Sequence, residues 1–273
     1  MTGWWRHIAA LLLALAPLPG AAQELQPMED RGDLLGWEAV GRVDLGDGFC
    51  TGVLIASDLV LTAAHCVYDR ATGRAIPPRA IAFRAGYMNG SAIAERGIDR
   101  IVTLPDYSPR ADGMIRGDMI RHDVALMRLD RPISSSEADP FRIHVDPRPG
   151  ESVSVVSYGR GRAETLSWER DCKVLGEVPG LLAFDCNVTF GSSGAPVFVR
   201  YGTRSRILSL VSSMGPVAED GPRSFGMQLP EAVTALKARM RAGDAPALRV
   251  GEGARRITVG GGRSGTGAKF VRP

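Results

Sequence analysis

A chain of 273 residues with 44% hydrophobic and 23% charged side chains has enough apolar material for a core in one or two domains, which excludes a disordered tail protein and a bundle of membrane helices. Its 33 basic and 30 acidic residues leave a formal charge of +3, too balanced to form an electrostatic footprint for nucleic acid. The 33 glycines and 18 prolines disfavour a helix bundle and suit short strands joined by many turns.

At the N-terminus, Arg6 and His7 precede an apolar run at 8–16, followed by Pro17, Pro19 and the small residues Gly20, Ala21 and Ala22. The run falls short of the roughly 20 residues that cross a bilayer, and the small residues suit a signal peptidase. Residues 1–22 are therefore expected to be a cleaved secretory signal, leaving a mature chain with no membrane span, secreted or periplasmic. Residues 23–36 are expected to be a propeptide or an N-terminal extension.

Short β-branched runs bounded by turn residues follow at 53–56, 59–62, 81–87, 100–104, 124–129, 153–158, 196–199 and 207–212. Such spacing predicts a sandwich or barrel. Pro132, Ser134, Ser135, Ser136, Pro140, Pro147 and Pro149 depress regular structure, so 132–149 is expected to connect a first β unit at 37–131 to a second at 150–229. Pro230 and Glu231 open a predicted helix over 230–242, with Val233, Leu236 and Met240 on one face and Gly243 at its stop. Residues 243–273, rich in glycine and arginine, have little to bury and are expected to be a disordered, solvated tail.

The four cysteines, Cys50, Cys66, Cys172 and Cys186, are an even number in a chain expected to be exported, so disulfides are expected. Four cysteines allow three connectivities. Their grouping into two close pairs favours Cys50–Cys66 and Cys172–Cys186. Zinc is disfavoured because no C-x-x-C occurs. No dinucleotide fingerprint, phosphate-cradling loop or H-E-x-x-H is present, so neither a metal nor a cofactor is implied.

Chemistry concentrates in three segments. In Leu59-Val60-Leu61-Thr62-Ala63-Ala64-His65-Cys66, a histidine at a strand's end is fixed by a neighbouring cysteine, as a general base requires. In His122-Asp123-Val124-Ala125-Leu126, an acidic residue precedes an apolar strand; aimed at His65, it would fix the imidazole tautomer. In Gly191-Ser192-Ser193-Gly194-Ala195-Pro196, small residues allow a tight turn that leaves N–H groups free for an oxyanion. Taken singly, these segments have bland readings: a structural histidine, a strand-edge aspartate and an ordinary loop.

Together, and in the order His, Asp, Ser, they resemble the chymotrypsin/trypsin-like serine endopeptidases over about residues 34–242. The resemblance implies an all-β fold of two six-stranded antiparallel β-barrels with a C-terminal helix and a cleft between the barrels. It further implies Ser193 as nucleophile, His65 as general base, Asp123 as orienting carboxylate, and the N–H groups of Gly191 and Ser193 as the oxyanion hole. Walls of the substrate pocket would fall at Asn187, Val188, Ser212, Ser213, Met214 and Gly215, none of them charged.

Two departures matter. Trypsin has an aspartate before the nucleophile that receives a new N-terminal ammonium after zymogen cleavage, whereas here the position is Ser192, and no Ile-Val-Gly-Gly-like start precedes Cys50. The chain looks more like the bacterial branch close to glutamyl endopeptidases, where a neutral residue also precedes the serine. The expected function is a secreted, monomeric serine endopeptidase acting on protein or peptide substrates, with a catalytically silent binding module of the same fold as the alternative.

Overall fold

The computed structural model describes residues 25–109, 115, 117–216, 218 and 221–244. The expected signal segment lies outside the described residues, as does nearly all of the expected tail.

After a short strand β1 (Gln26–Pro27), six strands form a closed antiparallel barrel: β2 (Val40–Asp44), β3 (Phe49–Ala56), β4 (Leu59–Thr62), β5 (Ala82–Ala85), β6 (Ala94–Thr103) and β7 (Ala125–Leu129), in the order β2-β3-β4-β7-β6-β5. Val40, Val43, Val53, Leu54, Val60, Leu61, Phe83 and Leu126 are fully buried, which is the stabilising consequence of the short apolar runs.

The second half contains β8 (Ser152–Gly159), β9 (Arg162–Val178), β10 (Leu181–Phe184), β11 (Pro196–Tyr201), β12 (Arg204–Met214) and β13 (Ser224–Met227). They follow the order β9-β10-β13-β12-β11-β8, and an additional β8–β9 pairing closes the ring, with β1 added along β9. The all-β architecture expected from the resemblance is therefore present. Helix α1 (Pro230–Asp244) follows β13. Its Val233, Leu236 and Met240 are buried as expected. It runs through Gly243 rather than stopping before it. There Arg100 donates to the Met240 carbonyl oxygen (3.4 Å) and lies where a Cβ on residue 243 would be 2.2 Å from its Nη1, so a basic side chain caps the last turn.

Candidate active site

His65 sits in a 3₁₀ turn (Ala64–Val67) directly after β4, and its neighbour Cys66 is disulfide-bonded to Cys50 of β3. The other disulfide joins Cys172 and Cys186, so both close pairs expected from the sequence are made. Asp123 precedes β7 and is 0% exposed. Its Oδ1 accepts the His65 backbone N–H (2.8 Å), its Oδ2 lies 2.8 Å from His65 Nδ1, and Ser212 Oγ donates to Oδ2 at 2.6 Å. A buried carboxylate is tolerated because its lone pairs are met this way. The carboxylate places the imidazole proton on Nδ1, which leaves Nε2 as the acceptor. Tyr107 is close enough that, after burial, the Asp123 charge also pushes its phenol above the ordinary range.

Ser193 comes from the second barrel, on the turn before β11. Thr51, fully buried on β3, joins the halves: its N–H donates to the Ser193 carbonyl oxygen (2.9 Å), its Oγ1 donates to the Gly191 carbonyl oxygen (2.9 Å), and the Tyr158 N–H donates to that Oγ1 (3.1 Å). Gly194, at φ +75°, lets the turn touch the strand leading to His65, since a Cβ there would lie 2.3 Å from Thr62 Oγ1 and 2.6 Å from the Ala63 nitrogen. Gly191 has φ +96°. Among the described residues the N–H groups of Gly191 and Ser193 have no hydrogen-bond partner, and Ser193 Oγ makes no hydrogen bond to His65.

The residues expected as pocket walls have mixed fates. Val188 is buried, while Asn187 is exposed and gives its backbone N–H to the buried Glu169 carboxylate (2.8 Å). Ser213 and Met214 pair with Phe225 and Ser224 of β13, and Gly215 donates to the Arg223 carbonyl oxygen. Ser212 is spent on Asp123. Arg162 and Glu169 escaped the sequence reading, because two charged residues inside polar β9 match no motif, and the segment from Cys50 to Ile55 that begins the histidine motif gives Thr51 no role of its own. A cavity of 550 Å³ opens beside His65, lined by Phe49, the Cys50–Cys66 bridge, Tyr68, Arg160 and Phe190. A larger one, 690 Å³, bordered by Arg121, His122, His144 and Gln228, contains none of His65, Asp123 and Ser193. Cys50, His65 and Cys66 cluster within 4.8 Å, as do Cys172, Asp185 and Cys186, but the disulfides leave each group a single metal-ligating side chain.

The trypsin-like peptidase domain family matches residues 50–203, and the chain belongs to it. Among relatives, it is 29% identical over 194 residues to serine protease 23 of Bos taurus, covering 63% of this chain and 49% of that protein. It is also 28% identical over 189 residues to serine protease SP24D of Anopheles gambiae, covering 61% and 65% respectively. The chain thus spans about half the length of the curated relatives it matches first. In fold it is similar to a Glu endopeptidase, with a TM-score of 0.63 and 17% identity over 82% of this chain and 98% of that one.

Proposed function

We propose that the chain is an exported serine endopeptidase. The observation that carries this reading is the buried Asp123 carboxylate held 2.8 Å from His65 Nδ1 and braced by Ser212, with His65 lining the same cavity as Gly191 of a serine turn that has two unengaged N–H groups. In this mechanism Ser193 Oγ attacks the scissile carbonyl carbon and passes its proton to His65 Nε2. The oxyanion of the tetrahedral intermediate takes the N–H groups of Gly191 and Ser193. The imidazolium, stabilised by Asp123, gives its proton to the departing amine, and water then releases the acyl group by the same steps in reverse roles. The missing Ser193–His65 hydrogen bond is compatible with this, because catalytic hydrogen bonds are often long before substrate binds.

Export is supported by the two disulfides and by the apolar run at 8–16; sequencing the mature N-terminus is expected to give Gln23. The barrels are assigned to 37–131 and 150–229. Activity is tested by labelling the mature protein with a fluorophosphonate and locating the adduct by mass spectrometry. The adduct is expected on Ser193, absent in Ser193→Ala and retained in Ser192→Ala. A mature, oxidised chain that takes no label belongs to the silent binding module instead.

A further inference from the structure

A turn that leaves the N–H groups of Gly191 and Ser193 unengaged has to be held in place, and here it is held from within. Ser192 is 0% exposed, and its Oγ lies within hydrogen-bond distance of Arg162 Nη2 (3.0 Å), Ser157 Oγ (3.2 Å), the Tyr158 carbonyl oxygen (3.2 Å) and the Thr189 nitrogen (3.4 Å). Arg162 also donates through Nη2 to Ser157 Oγ (3.0 Å) and through Nη1 to the Ser157 carbonyl oxygen. One guanidinium therefore ties the end of β8 to the residue between Gly191 and Ser193.

Space has been made for it. A Cβ on Gly159 would lie 2.7 Å from Arg162 Cζ and Nη2 and 2.7 Å from Thr189 Cγ2, so only glycine lets the guanidinium reach the turn. The burial is costly: it pulls Arg162 down to about 10, against the opposing charge of Glu169. Glu169 is itself buried and takes the Asn187 N–H, which anchors the same loop at its other end. Apolar side chains of similar volume often stabilise a fold better than buried ionisable groups, so Arg162 and Glu169 are explained by what each positions rather than by stability.

We propose that Arg162 is a positioning residue for oxyanion binding: through Ser192 it fixes the Gly191 and Ser193 N–H groups from inside the chain, so that oxyanion binding requires no newly formed N-terminal amine. This rests on the protease reading of the same site. It is also consistent with the use of residues 26–27, which pair with Trp168 and Ser167 along β9.

The test compares fluorophosphonate labelling rates at Ser193, peptide-hydrolysis kinetics and thermal melting for the wild type, Arg162→Met, Arg162→Lys and a wild type extended before Gln23. Arg162→Met is expected to label and turn over about 10²-fold more slowly, the loss typical of one oxyanion donor, with KM changed less than about threefold. Arg162→Lys, which keeps the charge without the fork, is expected to recover part of that rate. The extended wild type is expected to label at the ordinary rate. Should Arg162→Met fail to fold, Ser192→Ala replaces it and is expected to label about tenfold more slowly at near-normal stability. A folded Arg162→Met, or in its place Ser192→Ala, that labels at the wild-type rate overturns the inference alone, as does an extended wild type that loses its labelling. A wild type that takes no label overturns the protease reading, and the inference with it.

Discussion

Asp123 is satisfied by three hydrogen bonds, one of which comes from a side chain expected to line the substrate pocket. The two roles of Ser212 have different kinetic signatures. As a wall, its loss raises KM; as a brace on Asp123, its loss lowers kcat. Ser212→Ala is expected to reduce kcat about tenfold at nearly constant KM, the worth of one hydrogen bond to a charged group, and steady-state kinetics on a peptide substrate decide between them. Glu169 offers a second residue-scale test. Burial pushes its carboxyl up to about 7, helped by Asp185 and opposed by the Asn187 N–H and by Arg162. A raised carboxyl binds its proton in the folded state where the unfolded chain has already lost it. Its contribution to stability is therefore fully present below the unfolded value and is lost as pH rises to about 7, by up to about 3 kcal/mol. Glu169→Gln has no proton to lose, so its urea stability should gain on the wild type between pH 5 and pH 8. Parallel pH curves for the two proteins would refute the assignment.

Thr51 shows what an element contributes beyond its own ladder. From the middle of β3 it hydrogen-bonds Gly191, Ser193 and Tyr158 of the second barrel. Thr51→Val keeps the shape but leaves the Gly191 carbonyl and the Tyr158 N–H unpaired in the interior. The expected loss is about 1–3 kcal/mol for each orphaned group, together with slower labelling at Ser193; wild-type values in denaturant unfolding and labelling would dismiss the clamp. The elements also explain what the sequence could reveal. Strand β4 lies where its apolar run predicts, and the His, Asp and Ser segments are local patterns that survive without knowledge of the fold. Strand β9 was invisible because Arg162, Glu164, Glu169, Arg170, Asp171, Lys173 and Glu177 interrupt its apolar residues. Register shifts against β8 further break the period-two alternation. The Arg162–Ser192 contact joins residues 30 apart in sequence, and the pairing of β11 with β8 brings the serine turn beside the β8–β9 hairpin that carries Arg162. Strands β2, β10 and β13 are four or five residues long, and a glycine inside β2 and inside β13 interrupts the short apolar run that announced β4.

At the scale of the molecule, the proposed site exists only while both barrels hold their relative position, because His65 and Asp123 come from one and Ser193 from the other. One apolar cluster spans the junction, running from the first barrel through Tyr158, Leu166, Phe198 and Leu210 to Leu236 of α1. Trp37 belongs to it and gathers aromatic rings around itself. Its ring lies 5.0 Å from Trp168 of β9, 5.0 Å from Phe198 of β11 and 6.0 Å from Phe141 of the inter-barrel connection, and Phe141 in turn lies 4.5 Å from Phe198. Truncating a nearly buried indole leaves a void lined by rings that cannot collapse without moving the barrels, so Trp37→Ala is expected to cost about 3–5 kcal/mol. Because the N–H of Thr51 and the turn at Ser193 meet across that junction, capacity to label Ser193 should disappear at the same urea concentration as the overall fold. Trp37→Phe, which keeps a ring in contact, should fall between the variant and the wild type. If labelling in Trp37→Ala outlasted the unfolding of the first barrel, or its midpoint matched the wild type, the junction would be a passive contact, and the two barrels would have to be aligned by Thr51 and the serine turn alone.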